Sequence, residues 1–223
     1  FARSLALAAL AIAILLPLAI GAGGAAGRRP DGVLDRSLSV IGLGLGAMPE
    51  FVTGVLLIVV FGLGLEWFPV QATTPGDASV WAVIHSLILP ALCLVLLLFA
   101  YLFRMTRSGM ISALEADYTR TARLKGLPER LVLRRHVLRN ALLPTVTVMG
   151  AQLGWLVGGL VVVESLFRYP GIGSLLHNAA TNKDIPLLAG CTLLVTAVFS
   201  LANLTADLIY ALLNPRVRDA LAD

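Results

Sequence analysis

Four stretches of this chain run for more than twenty residues without a single charged side chain: Ser4–Gly27, Ala78–Phe103, Asn140–Val163 and Ile185–Ala206. A fifth, Ser37–Leu65, is interrupted only by Glu50. About twenty mainly apolar residues in a helix cross a hydrocarbon core of about 30 Å. Open strands cannot satisfy their backbone polar groups in lipid, so each stretch is expected to be helical. The expected fold is therefore an all-α polytopic membrane protein, one transmembrane domain over residues 1–223, with five spans at about 4–27, 37–65, 78–103, 140–163 and 185–211. Composition agrees: 13% of the residues are charged and the mean hydropathy is +0.88, whereas soluble domains carry about 25% charge. Cys93 and Cys191 both lie inside apolar runs, which indicates neither a disulfide framework nor a metal knuckle.

Orientation follows from the basic residues of the loops. If the loop after the first span is cytoplasmic, that side holds fourteen of the seventeen Lys and Arg residues, and only Arg3, Arg168 and Lys183 lie on the other. The C-terminus and residues 104–139 are accordingly expected in the cytoplasm and the N-terminus outside. The pI near 9.5 then reflects membrane orientation, and no nucleic-acid partner is expected. An odd number of spans, beginning at Phe1, leads us to expect a further span before it.

The exception to the apolar monotony is 104–139, which holds nine cations with Glu115, Asp117 and Glu129. Ser112–Lys125 is expected to be a short helix in which Leu114, Tyr118 and Ala122 form one apolar stripe, with Glu115, Asp117, Arg120 and Arg123 around it. Gly126 stands where a left-handed C-terminal cap is wanted, and Pro128 suits the start of a second helix, Glu129–Asn140. Positive-inside charge alone explains the arginines, but not the length, the amphipathic helix or the Gly126 and Pro128 punctuation. A small apolar ridge rimmed by charge fits a partner's groove, with a lipid surface as the other candidate.

The run Glu115-Ala-Asp-Tyr-Thr-Arg-Thr-Ala-Arg-Leu-Lys-Gly126-Leu-Pro, with Val132-Leu-Arg-Arg-His-Val-Leu-Arg-Asn-Ala-Leu-Leu-Pro144, resembles the EAA-type cytoplasmic loop of bacterial ABC importer permeases. More narrowly, it is similar to the dipeptide, oligopeptide and nickel subfamily and to the first of its two permease subunits. Pro49-Glu-Phe51 with Gly54, Trp67-Phe-Pro-Val70, Leu89-Pro90-Ala91, Val162-Val-Glu164, Tyr169-Pro-Gly-Ile-Gly173 and Asp207-Leu-Ile-Tyr-Ala-Leu-Leu-Asn-Pro-Arg216 agree, so the likeness covers essentially the whole chain. In the general EAA pattern a Glu stands where this chain has Arg120, and the gap from Gly126 to Leu143-Pro144 is longer. Both departures look like the peptide-importer variant. The resemblance implies a type I importer transmembrane domain with six spans, five of them present here.

It also implies partners. The chain has no Gly-x4-Gly-Lys-Ser/Thr phosphate loop and no cofactor of its own is expected, so it is not expected to be an enzyme. ATP and Mg would be bound by two ABC ATPase subunits, alongside a second, homologous permease and an extracytoplasmic substrate-binding protein in the bacterial inner membrane. Ser112–Lys125 would be the coupling helix, with Tyr118, Thr121 and Ala122 packing in an ATPase cleft, Glu115, Asp117, Arg120, Arg123 and Lys125 making polar contacts, and Gly126 forming the turn. Closure of the ATPases would tilt the spans as rigid bodies. The substrates this implies are dipeptides or oligopeptides, with nickel chelates or other small solutes as alternatives within the family.

Inside the spans, Gly150, Gly154 and Gly158 lie four apart as a small-residue ridge for helix packing or for a moving interface with the second permease. Glu50 and Glu164 are intramembrane carboxylates and so candidates for the translocation path. The plainer alternatives set Glu164 at the outer water boundary and Glu50, beside a kinking Pro49, against a cavity or an arginine. Asn203 and Asp207, one turn apart, either line the path or bond between helices. The turn with Tyr169, Pro170 and Gly171 is expected to form an outer gate or docking turn. His85, His136 and His177 show no ligand spacing, and no metal site is expected. A proton-coupled secondary transporter would fit the acids but would not need the long cytoplasmic element. An intramembrane hydrolase lacks a Gly-x-Ser-x-Gly nucleophile.

Overall fold

The computed structural model describes residues 1–73 and 79–213; of residues 151, 153–155, 206, 207 and 209–213 it describes the backbone alone. Its elements are α1 (Ala2–Arg28), α2 (Val33–Ala47), α3 (Glu50–Leu57) running into a π-helical stretch (Ile58–Gly64), α4 (Val80–Glu115) and α5 (Asp117–Leu124). There follow α6 (Glu129–Leu131), a second π-helical stretch (Val132–Val137), α7 (Leu138–Ala141), α8 (Leu143–Leu166), α9 (Ile172–Thr181) and α10 (Ile185–Leu213). No strand occurs among the described residues, as membrane burial of the backbone requires.

Among the described residues, three helices are long and apolar enough to cross a membrane: α1, α4 and Ile185–Thr205 of α10. The expected second span is not one helix. It breaks at Met48-Pro49, and its two halves, Val33–Ala47 and Glu50–Gly64, meet at 108°. Proline at 49 has no N–H to continue the ladder and disfavours helical backbone in the residue before it, so the chain must turn there. The expected fourth span falls within α8, whose described apolar part is Leu156–Leu166. The third span runs twelve residues past its expected end, since α4 continues from Arg104 to Glu115. At 1.5 Å per residue, its 36 residues measure about 54 Å, beyond the roughly 40–45 Å of a whole bilayer. One end of α4 must therefore project into water. Helix α9, ten residues in the loop before α10, was not expected.

The described residues cluster into two units, 1–16, 45–73, 79–98 and 153–200 in the first, and 17–44, 99–152 and 201–213 in the second. In the second unit α1 meets α4 without side-chain spacers. A Cβ on Gly23 would lie 2.7 Å from Thr106 Cβ, and one on Gly27 would lie 2.6 Å from Met110 Cβ. This is a glycine pair four apart, the geometry that lets two helices touch backbone to backbone. Gly109 of α4 likewise abuts the Ala141 carbonyl, and Thr106 Oγ1 shares a hydrogen bond of 3.0 Å with Thr145 Oγ1 of α8. Asp35, in the first turn of α2 and 2% exposed, is held by Arg107 of α4 through two hydrogen bonds, Nε to Oδ1 and Nη2 to Oδ2, the latter 2.6 Å.

In the first unit the contacts gather around the turn after α8. Gly54 of α3 packs against Leu166 and Cys93. Gly159 of α8 receives Leu94 and Leu97 of α4, to which an added Cβ would come within 3.1 and 3.2 Å. The segment before α4 is tied down as Ala72 N–H donates to the Phe167 carbonyl at 2.8 Å and Thr73 Oγ1 to that of Arg168 at 2.9 Å.

Candidate functional site: the projecting helix-turn-helix

Residues 112–141 are built from the sequence as a folded-back hairpin on the end of α4, but not with the expected boundaries. Ser112–Glu115 belong to α4. The break comes at Ala116, whose extended backbone (φ −66°, ψ 146°) starts α5 at Asp117. Thr119, completely buried, donates its Oγ1–H to the Ala113 carbonyl at 2.6 Å, taking up a carbonyl that the end of α4 leaves free. Helix α5 ends as expected at Gly126, φ +75°. There Leu127 N–H donates to the Ala122 carbonyl at 3.4 Å and Gly126 N–H to that of Arg123 at 2.9 Å, the pair of bonds of a Schellman cap. Leu127 packs on the small core beneath, formed by Met110, Ala113, Ala122, Val132, Val137 and Ala141.

This core corrects the expected stripe. Ala122 is 5% exposed and faces its own chain, so it is not available to a partner. The buried face of α5 is Thr119 and Ala122, and Leu114 lies on a different helix. What α5 presents outward is Asp117, Tyr118, Arg120, Thr121, Leu124 and Lys125. Tyr118 is 41% exposed and Leu124 80%. Leu124 was absent from the expected stripe; it lies about two helical turns from Asp117, on the side of α5 away from Thr119 and Ala122. Arg123 is also reassigned: its guanidinium forms a two-pronged bond with Glu129, Nη2 to Oε1 at 2.8 Å and Nε to Oε2 at 3.1 Å, fastening α5 to α6. That partner holds the Glu129 carboxyl below the usual range. Glu115 is exposed at the end of α4.

The other expected site residues divide. Glu164 is fully buried, and its Oε2 accepts the N–H of Gly173 at 2.7 Å and of Ser174 at 3.1 Å. It caps α9 from within the unit. Tyr169 is 6% exposed with its hydroxyl donating to the Arg3 carbonyl at 3.0 Å, and Gly171 is buried against the Glu164 carboxylate. That turn is an anchored element, with Pro170 alone exposed. Glu50 is half-buried at the broken span; its carbonyl accepts the Cys93 thiol at 3.4 Å, and no arginine pairs with it among the described residues. Asn203 is half-buried, while the side chain of Asp207 and the surroundings of Gly154 lie outside the described residues. Gly150 is buried, but Gly158 is exposed with open space where a Cβ would sit. Gly23 and Gly27 are a close-packed pair of this kind between α1 and α4, and their spacing of four in Gly-Ala-Gly-Gly-Ala-Ala-Gly was there to be read. No group of three or more His, Cys, Asp or Glu suited to a metal occurs among the described residues.

A multi-pass, all-helical membrane domain bearing a compact helix-turn-helix at the end of an over-long span is the class of protein this architecture defines. The chain belongs to the family of binding-protein-dependent transport system inner membrane components, whose model matches residues 6–219. The oligopeptide transport system permease protein AppB of Bacillus subtilis is 39% identical over 209 residues, 92% of this chain and 65% of that one. The glutathione transport system permease protein GsiC of Pectobacterium atrosepticum is 41% identical over 216 residues, 96% and 67%. A Brucella suis protein named as a peptide permease is 40% identical over 213 residues, and the chain spans 66% of its length. The crystal structure of an amino acid ABC transporter with histidines superposes with a TM-score of 0.64 over 97% of this chain and 91% of that one, at 16% identity. The fold is that of a type I ABC importer membrane domain.

Proposed function

We propose that this chain is a permease subunit of an ATP-driven ABC importer and forms part of the translocation path for peptides across a bacterial inner membrane. The relatives named for oligopeptides and for glutathione, itself a short peptide, support the substrate class. The orientation with residues 104–139 and the C-terminus in the cytoplasm rests on the basic residues of the loops.

The observation that carries the coupling role is the outward face of α5. Tyr118, Thr121 and Leu124 are exposed on this face, interspersed with Asp117, Arg120 and Lys125, and the face is held rigid from beneath by the Ala122 core and at its end by the Gly126 cap. A rigid face of this size suits a cleft on an ATPase partner. Two ATPase subunits, a second permease and an extracytoplasmic binding protein complete the assembly. ATP and Mg belong to the ATPases, whose closure would move α5 and tilt the helices joined to it. Glu50, beside the Pro49 break, is the path residue this reading retains.

Reconstitution of the chain with its partner subunits in proteoliposomes tests the proposal. Tyr118→Asp should abolish ATP-dependent uptake of a labelled tripeptide while leaving membrane insertion intact. Uptake unchanged by that substitution would remove α5 from coupling, and uptake driven by a proton gradient without ATP would replace the importer with a carrier.

A further inference from the structure

In the second unit, the link between α1 and α2 borders an open pocket of about 500 Å³ lined by Ala25, Arg28, Arg29, Gly32, Val33 and Leu34. Both arginines are exposed, and the only side-chain ion pairs among the described residues are Arg107–Asp35 and Arg123–Glu129. Two guanidiniums therefore share one opening with no carboxylate in ion-pair contact with either among the described residues; Glu129 feels the charge of Arg28 and Asp31 is exposed in the same link, but neither lines this opening. Beside them Val33 is 84% exposed and Leu34 53%, so the opening is cationic on one wall and apolar on the other.

Its depth is set by α1. Twenty-seven helical residues measure about 40 Å, close to a bilayer with its headgroups, and Arg28 is in the last turn. A helix that spans from Ala2 thus brings the arginines to the level of the lipid phosphates and Val33 and Leu34 to the edge of the acyl region. A second cavity lined by the same arginines, about 350 Å³, carries Glu115 and Glu129, which repel an anion. No carboxylate lines the Val33 side, although Asp31 is exposed in the link beside it.

We infer that Arg28 and Arg29 hold the phosphate of an anionic phospholipid in this pocket, with the glycerol and first acyl carbons on Val33 and Leu34. Guanidinium and phosphate form short, charge-assisted bonds, and a basic pocket between spans on the cytoplasmic side is a lipid-headgroup geometry. The site is independent of the transported solute.

The complete protein, purified in neutral detergent, is titrated with dihexanoyl phosphatidylglycerol, dihexanoyl phosphatidylcholine or inorganic phosphate, and bound lipid is counted by native mass spectrometry. The phosphatidylglycerol should bind at least tenfold more tightly than the phosphatidylcholine, and R28Q/R29Q should weaken it about tenfold. R134Q/R135Q, which removes two exposed cations elsewhere in the same unit, should leave it unchanged. Should the double variant not elute as a single species, Arg29→Gln alone should weaken binding about threefold. Equal binding by wild type and R28Q/R29Q, or an equal loss in R134Q/R135Q, overturns the site. Displacement of the lipid by an equal concentration of inorganic phosphate overturns the lipid as its occupant.

Discussion

The buried side chain of Glu164, near the end of α8, accepts the backbone N–H of Gly173 at 2.7 Å, so an acidic side chain in one helix supplies the N-cap of the next. Gly173 can occupy that place only without a side chain, since a Cβ would lie 2.6 Å from Val161 Cα and 2.9 Å from Oε2.

Gly173→Ala should therefore destabilise the protein by roughly 1–3 kcal/mol, the usual cost of overpacking. Gly190→Ala, where a Cβ meets nothing within 4 Å, should be neutral or slightly stabilising. Thermal unfolding of both variants in detergent checks this, and equal melting temperatures would count against the packed cap.

The glycine pair in α1 makes a sharper prediction. Gly27→Val would force α1 from α4 against Met110 Cβ and the Arg107 carbonyl, 2.9 Å from the built Cβ, whereas Gly21→Val meets open space. Gly27→Val should lose a few kcal/mol and Gly21→Val far less. A protease-accessibility assay on the membrane-inserted protein would distinguish them.

Asp35 and Arg107 form the ion pair that joins α2 to α4. Asp35→Ala strands a guanidinium whose side chain is 28% exposed, so the cost should lie near the low end of the roughly 3–5 kcal/mol seen when a buried pair is broken. In a double-mutant cycle with Arg107→Ala, the double variant should be less damaged than the sum of the singles. Strict additivity would mean the pair contributes nothing.

Arg123 and Glu129 are both well exposed, 44% and 52%, so Glu129→Gln should cost no more than about 1 kcal/mol. Because the folded-state Glu129 carboxyl titrates below its ordinary range, its contribution is complete above the unfolded carboxyl pKa, roughly 4.3. It is lost as the pH falls through the lowered folded value. Wild type and Glu129→Gln should then converge in stability only on acidification below about pH 4. Convergence near neutrality would contradict the pair.

Gly126 sits at φ +75°, where a β-branched residue is strained by roughly 1–2 kcal/mol. Gly126→Val should uncouple ATP hydrolysis from transport in reconstituted complexes, while Gly126→Asn, which tolerates that backbone, should retain most coupling. Equal activity of the two would show that α5 does not depend on its cap.

Much of this was legible from the chain alone. Runs of twenty uncharged residues require membrane helices, since nothing else satisfies a backbone in lipid, and Gly126 followed by Pro128 marks the end of one helix and the start of another through φ preferences that are local. The fate of Glu50 and Glu164 was not legible: both are acids beside apolar runs, and only the fold shows that Glu164 has a helix N-terminus to cap while Glu50 has no partner among the described residues. The same holds for which glycines touch a neighbour. Gly23, Gly27 and Gly158 all belong to small-residue patterns at the helical period, but periodicity names a face without naming what lies opposite. Ala122 and Leu124 make the same point on α5, where helical spacing allowed either to face outward until the core of Met110, Val132 and Val137 took up Ala122. Local backbone chemistry and solvent transfer thus determined the helices and their ends, and packing between residues distant in sequence decided which face of each helix remained free to act.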